Sequence, residues 1–123
     1  MSHRFVWVDI PVRELERAIA FYSAVLACAV TREGGPGFTF GVLAHEGSDI
    51  AGCLVPAAKD NAPSARGPLV YLNVDRRIAE AERAVVAHGG RVVQPTEPIG
   101  PHGYRAIVLD SEGNRVALHS NRP

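Results

Sequence analysis

The stretch from Arg4 to Leu26 changes from a strand pattern to a helix pattern, and this constrains the fold more than any other feature. Two sets of side chains alternate at its start, which predicts a strand with an aliphatic and a mixed face: Val6, Val8, Ile10 and Val12 on one side, and Phe5, Trp7, Asp9 and Pro11 on the other. Apolar residues then recur at helical spacing, at Leu15, Ala18, Ile19, Tyr22, Val25 and Leu26. We expect the helix to cover the aliphatic face. The mixed face is then a binding surface, an interface or a second core layer.

The same order of patterns returns in the second half of the chain, where Val74 takes the place of Val12. Val70, Leu72 and Val74 alternate with Leu69, Tyr71 and Asn73, and a second apolar stripe follows at Ile78, Ala81, Ala84, Val85 and His88. Three shorter strand-like segments follow each helix. In the second half, the first of these strands begins at Val92 and is expected to end at Pro95. Such a repeat predicts two similar units that pack side by side.

We therefore predict an α+β fold in which two βαβββ modules form paired curved sheets around a central trough, with the helices on the convex side. Residues 1–123 would be one domain, with module one at 4–56, a linker at 57–67 and module two at 68–121. The sequence PAAKDNAPSARGP around the linker has no period, which favours an exposed connection over a mobile lid above a site. A trough lined by several strands is a favourable place for a small ligand.

The composition argues against several classes of partner. Lys+Arg and Asp+Glu both number 13, and no basic run exists that would bind nucleic acid. No stretch reaches the ~20 apolar residues that a membrane-spanning helix needs, and the N-terminus lacks the apolar region of a signal peptide. Cys28 and Cys53 are isolated in apolar contexts, which is typical of reduced, buried thiols. We expect a cytoplasmic protein with no nucleic-acid or membrane partner.

Three separated segments carry a family resemblance. The first segment contains V-R-E-L-E-R at residues 12–17, followed by Phe21-Tyr22. The second resembles the start of a second module and reads LVYLNVDRRIAEAERAVVAHGGRV. The third resembles a closing hairpin and reads GYRAIVLDSEGNRVALHS. In this order they are similar to the vicinal-oxygen-chelate superfamily of glyoxalases, bleomycin-resistance proteins and dioxygenases. The nearest-looking branch is the glyoxalase-like group related to lactoylglutathione lyase. The resemblance implies the fold predicted above and a homodimer.

The resemblance also implies where a divalent metal would be held, by His, Gln or Glu at four strand positions. Three of these positions fall on Trp7, Leu69 and Ala117, and the fourth lies near residues 52–54, where no His, Asp or Glu is found. Hard cations take oxygen or imidazole ligands, which these side chains do not offer. We therefore expect no metal and no other cofactor.

Side-chain alternation predicts what lines the trough instead. The strand residues that face it are Trp7, Asp9, Tyr71, Asn73, Arg115, Ala117 and His119, and the loop residues His102 and Tyr104 would lie at its mouth. We predict that a small-molecule ligand contacts Trp7, Asp9, Tyr71, Asn73, His102, Tyr104, Arg115 and His119. Packing is the more economical explanation of Trp7 and Tyr71, and a surface charge that of Arg115, but the two rings also suit a stacking wall and Arg115 also suits a ligand carboxylate.

Two functions remain open at this point. The first is a metal-independent protein, similar to bleomycin-resistance proteins, that binds a small aromatic or amphipathic molecule. The second is a lyase-type enzyme that uses His119 and Asp9 as catalytic residues or recruits a metal through displaced donors. Imidazole titrates near neutral pH, and a carboxylate within hydrogen-bond reach would orient the His119 ring.

Overall fold

The computed structural model describes residues 3–47 and 49–123. The first module contains strand β1 (Trp7–Val12), helix α1 (Leu15–Leu26) and strands β2 (Val30–Gly35), β3 (Phe38–Leu43) and β4 (Ala51–Pro56). The second module contains β5 (Val70–Asn73), α2 (Ile78–Ala87), β6 (Arg91–Pro98), a 3-10 turn (Gly100–His102), β7 (Tyr104–Leu109) and β8 (Arg115–Ser120). The predicted order of two βαβββ modules is confirmed.

The two modules have the same sheet topology. The strand order is β1-β4-β3-β2 in one sheet and β5-β8-β7-β6 in the other. The first strand of each module runs parallel to the last, and the other neighbours are antiparallel. In register, Asp9 lies opposite Cys53 and Tyr71 lies opposite Ala117. The repeat therefore places Cys53 in the first module where Ala117 lies in the second.

The helices pack on the convex sides of their sheets and against each other, so the two modules share one core. Phe21 and Tyr22 of α1 and Val85 of α2 are fully buried in it. Phe21 lies outside the apolar stripe that the sequence analysis predicted for α1. It is buried all the same, because α1 is covered by α2 as well as by its own sheet. Neither helix of residues 3–47 and 49–123 is long and apolar enough to cross a membrane.

Strand β6 differs from its prediction. It runs through Pro95 to Pro98, although the sequence pattern placed its end at Pro95. Its pairing with β7 shifts register between Val92 and Gln94 and again between Gln94 and Glu97. A proline lacks the amide donor that a regular ladder requires, and the irregular pairing accommodates it at this edge of the sheet.

Candidate functional site

A cleft lies between the two modules next to β1, and we call it the intermodule cleft. β1 and β5 are each at the edge of their sheets, and the space between them has a volume of about 780 Å³. Strands β1 and β5 form two of its walls, and the linker, through Asn61, Ala62, Ser64 and Arg66, forms a third. A second, apolar cavity of about 500 Å³ lies beside it and shares Val8, Ile10 and Val70.

Hydrogen bonds hold the linker against β8. The Ser64 amide donates to Oδ1 of Asn114 at 3.1 Å, and the Ser64 carbonyl accepts from the amide of Arg115 at 3.2 Å. The Asn114 side chain in turn donates to the carbonyl of Pro11 in β1 at 2.8 Å. The linker is therefore fastened to both modules and closes one side of the cleft.

Trp7 reaches the cleft from β1 and is held by its polar edge. The indole Nε1–H donates to Sγ of Cys53 at 3.4 Å, and the Cys53 thiol donates to Oδ1 of Asp9 at 3.3 Å. Burial raises the pKa of the Cys53 thiol, and the neighbouring Asp9 carboxylate adds to the effect. Trp7 remains 44% exposed, so a ligand could contact it.

Tyr71 faces the same cleft from β5, and an arginine that the sequence analysis missed holds it. Nη1 of Arg105 donates to the Tyr71 hydroxyl at 2.6 Å, and the guanidinium carbon lies 5.9 Å from the ring centroid. Tyr71 is 46% exposed. The alternation of β7, in which Ala106 and Val108 are buried, would have assigned Arg105 to the trough side.

The two predicted catalytic side chains have separate partners. The Asp9 carboxylate accepts from Cys53, whereas Nε2 of His119 lies 2.7 Å from the carbonyl oxygen of His102. The His119 ring is 6.3 Å from the Tyr71 ring. In the described part of the chain, no hydrogen bond joins Asp9 to His119.

The remaining four predicted site residues lie in four different places. Arg115 lines the intermodule cleft with Trp7, Asp9 and Tyr71. Asn73 lines the smaller cavity, and its Oδ1 accepts from the Asp75 amide at 2.9 Å. The alternation of β7 places Tyr104 on the face of Ala106 and Val108. His102, in the 3-10 turn, is exposed. Neither of these two residues, nor His119, belongs to the lining of the cleft.

The resemblance implied three metal-ligand positions at Trp7, Leu69 and Ala117 and a fourth near residues 52–54. The strand register makes Cys53 the counterpart of Ala117 in the first module, because Cys53 lies opposite Asp9 and Ala117 lies opposite Tyr71. Ala117 was expected to face the trough, but it is fully buried, its neighbours Val116 and Leu118 are buried as well, and it does not line the cleft. Within residues 3–47 and 49–123, no three His, Cys, Asp or Glu side chains form a group that could hold a metal ion.

Comparisons with known proteins agree with this architecture. No curated protein matches the chain. Among solved structures, a glyoxalase/bleomycin resistance protein from Albidiferax ferrireducens T118 has a TM-score of 0.75 at 17% identity, over 98% of this chain and 100% of that one. A glyoxalase-related enzyme from Fulvimarina pelagi has a TM-score of 0.74 at 16% identity, over 98% and 89%. TnmS3, an antibiotic binding protein from Streptomyces sp. CB03234, has a TM-score of 0.71 at 24% identity, over 98% and 96%.

At these identities the solved structures establish the fold alone. The family model described as Glyoxalase/Bleomycin resistance protein/Dioxygenase superfamily matches residues 4–118, which span both modules. The two βαβββ units with identical strand order are the structural counterpart of that match. The chain therefore belongs to the glyoxalase/bleomycin resistance protein/dioxygenase superfamily.

Proposed function

We propose that the protein binds a small aromatic or amphipathic molecule in the intermodule cleft and that it does so without a metal ion. The observation that carries the proposal is the pair Trp7 and Tyr71, on facing strands. Each residue has a hydrogen bond at the polar tip of its side chain and is close to half exposed. Rings that are fixed before the ligand arrives lose little conformational freedom on binding. The volume of about 780 Å³ is also in the ordinary range for ligand sites.

The side chains at the four ligand positions support a metal-free site. Trp7, Leu69 and Ala117 have no atom that coordinates a hard cation. Cys53 has a sulfur atom, but burial and the Asp9 carboxylate raise the pKa of its thiol, whereas a metal needs the thiolate. One soft donor among four positions does not fit the donor set of a divalent metal centre in this superfamily.

The fold neighbours offer a compatible precedent for binding without stated catalysis. TnmS3 is an antibiotic binding protein and shares the fold over nearly its whole length. We extend the class of function, a protein that takes up a small organic molecule, to the present chain. The chemical class of the ligand is inferred from the residues that line the cleft, and not from what this neighbour binds.

The proposal is tested with the only tryptophan in the chain, Trp7. A small-metabolite library is screened by thermal shift in EDTA, and each hit is titrated while the indole fluorescence is recorded. We expect saturable quenching in EDTA, and about a tenfold loss of affinity in Tyr71→Ala, since an aromatic contact of this kind contributes on the order of 1 kcal/mol beyond burial. Val86→Ala on the exposed surface of α2 serves as the control.

Two outcomes would contradict the proposal. One is that hits bind only after a divalent metal is added. The other is that hits bind equally well to the native protein, to Tyr71→Ala and to Trp7→Ala. Affinity for Trp7→Ala is measured by calorimetry, because that variant has no tryptophan fluorescence. Either result would place the ligand elsewhere or require a metal centre.

The lyase-type alternative has less support. The Asp9 carboxylate accepts from Cys53 and the His119 ring bonds to the carbonyl of His102, so no acid–base pair is assembled. Lyase activity that survives EDTA and disappears in His119→Ala would favour this alternative.

A homodimer is the assembly that we propose. Large apolar side chains are exposed at the start of the chain and on β3, among them Phe5 at 74%, Val6 at 68% and Phe38 at 58%. Such exposure is typical of a surface that a partner covers. Sedimentation equilibrium is expected to give twice the mass of the chain, and a monomer at micromolar concentration would contradict the proposal.

A further inference from the structure

We infer that the ligand of the intermodule cleft is an aromatic carboxylate whose anionic group is bound by Arg115 with help from Arg66. The inference rests on the proposed function, since it names the chemical class of the molecule that the cleft takes. Three observations carry it: the incomplete hydrogen bonding of Arg115, the charge of the cleft lining, and the position of Arg115 relative to Tyr71.

Arg115 has few partners for a half-buried guanidinium. Its Nη2 donates to the carbonyl of Gly67 at 3.1 Å, and its Nε is shielded from solvent without any hydrogen-bond partner. In the part of the chain that the structure describes, the carboxylates within salt-bridge distance of an arginine pair with Arg17, Arg32 and Arg83, and none pairs with Arg115 or Arg66. A buried donor without an acceptor is unfavourable, and a small shift toward a ligand carboxylate would satisfy it.

The cleft lining has an excess of positive charge. Arg66 and Arg115 contribute two guanidinium groups, whereas Asp9 contributes the one carboxylate. That carboxylate already accepts a hydrogen bond from the Cys53 thiol. A cleft with low-dielectric walls concentrates its field, so the excess charge favours an anion over a neutral molecule of the same shape.

The geometry sets the distance between the anionic group and the ring. Tyr71 lies opposite Ala117, and Arg115 is two residues before Ala117 on the same face of β8. Two residues span about 7 Å along a strand. A carboxylate attached to one or two fused rings therefore reaches Arg115 while its rings contact Tyr71 and Trp7. Arg105 also has a buried Nε without a partner, but it does not line the cleft, and its Nη1 is bonded to the Tyr71 hydroxyl.

A matched pair of probes tests the inference by calorimetry at low salt in EDTA. 2-Naphthoate and 2-naphthamide have the same rings and differ in a carboxylate against a neutral amide. We expect 2-naphthoate to bind at least about tenfold more tightly, which is the scale of one charge-assisted contact. The preference should weaken as salt is raised, because ions screen an exposed charge pair.

Variants then identify the groups responsible. Arg115→Gln is expected to remove most of the preference, because it should weaken 2-naphthoate binding far more than 2-naphthamide binding, whereas Arg115→Lys should keep part of the preference. Arg66→Gln should reduce it less, since Arg66 is exposed on the linker. Arg83→Gln, on the outer surface of α2, is the control and should leave both affinities unchanged. The naphthamide titration also shows whether Arg115→Gln still folds with an intact cleft.

The outcomes separate the inference from the function beneath it. If both probes bind with similar affinity, or if the preference for 2-naphthoate survives in the Arg115→Gln, Arg66→Gln double variant, the inference is wrong while the proposed function stands. If neither probe binds saturably, the inference is wrong, and the library screen described above decides the proposed function separately.

Discussion

The carboxylate of Glu112 in the second module holds the guanidinium of Arg17 in the first, with hydrogen bonds of 2.7 and 2.9 Å. The same carboxylate accepts from the backbone amides of Arg13 and Glu14, at 2.9 and 3.0 Å, where α1 begins. Helix α1 has no side-chain cap of its own. Glu112 therefore caps this helix from the other module, and its charge is favourable at the helix N-terminus.

We predict that Glu112→Gln lowers the free energy of unfolding by about 1–3 kcal/mol, because charge-assisted bonds to a helix terminus become weaker neutral ones. Urea denaturation measures the change. Glu80→Gln is the matched control, since Glu80 is an exposed carboxylate of α2 that lies 3.9 Å from Arg83. Equal stability of the two variants would show that Glu112 does not tie the modules together.

The same contact predicts a pH dependence. Burial alone would raise the pKa of Glu112, but the hydrogen bonds from Arg17 and the two amides outweigh it and lower the pKa to about 2, from an ordinary value of 4.5. A carboxyl group whose folded pKa is depressed stabilises the fold above its ordinary pKa, and this contribution is lost as pH falls from about 4.5 toward 2.

Native protein should thus lose stability over that acid range more steeply than Glu112→Gln, when both are followed by thermal unfolding at several pH values. Parallel curves for the two proteins would contradict the assignment. Glu80→Gln should follow the native curve.

Close contact between the modules at Gly90 gives another prediction. A Cβ at this position would lie 2.5 Å from the carbonyl oxygen of Leu109, 2.7 Å from Cε2 of Phe21 and 2.9 Å from Cγ1 of Val85. Gly90→Ala should destabilise the protein by about 1–3 kcal/mol through overpacking. Gly35→Ala is the control, since nothing lies within 4 Å of a Cβ there. If chemical denaturation gives the same midpoint for both variants, this packing of α1 against the second module is incorrect.

The sequence was sufficient for the modules but not for the contacts between them. Alternation in residues 5–12 and its return at 69–74 predicted both first strands, because period two reports directly on which face is covered. Residues 110–114 were recognised only as part of the segment that resembles a closing hairpin. Nothing local to Glu112 indicates that its partner lies 95 residues away on α1.

In the candidate site, too, local sequence patterns predicted which side chains face the trough but not which of them contact each other. Trp7, Tyr71 and Arg115 were assigned to the trough by parity, which is a local property. Cys53 was interpreted as a buried thiol in an apolar context, whereas its bonds to Trp7 and Asp9 depend on the register of β1 with β4. Whether Asp9 meets His119 depends on how two modules pack, and a single sequence does not encode that distance in any periodic pattern.

The surroundings of Cys53 predict its reactivity. Burial and the Asp9 carboxylate both suppress its thiolate, and the residue is 5% exposed, while Cys28 is half-buried. In native protein at pH 8, Cys53 should react with Ellman's reagent at least several-fold more slowly than Cys28. Cys28→Ala and Cys53→Ala assign the two phases. A Cys53 that reacts as fast as Cys28 would mean that its thiol is accessible and that the hydrogen bonds joining Trp7, Cys53 and Asp9 are not formed.

The central claim is that the intermodule cleft binds an aromatic molecule between Trp7 and Tyr71 without a metal. With one tryptophan in the chain, the ¹⁵N–¹H spectrum contains a single indole signal. We predict that 2-naphthoate, added in EDTA, shifts this signal saturably together with the amides of Tyr71 and Arg115. An indole signal that stays in place at saturation, or that moves only after a divalent metal is supplied, would contradict the account.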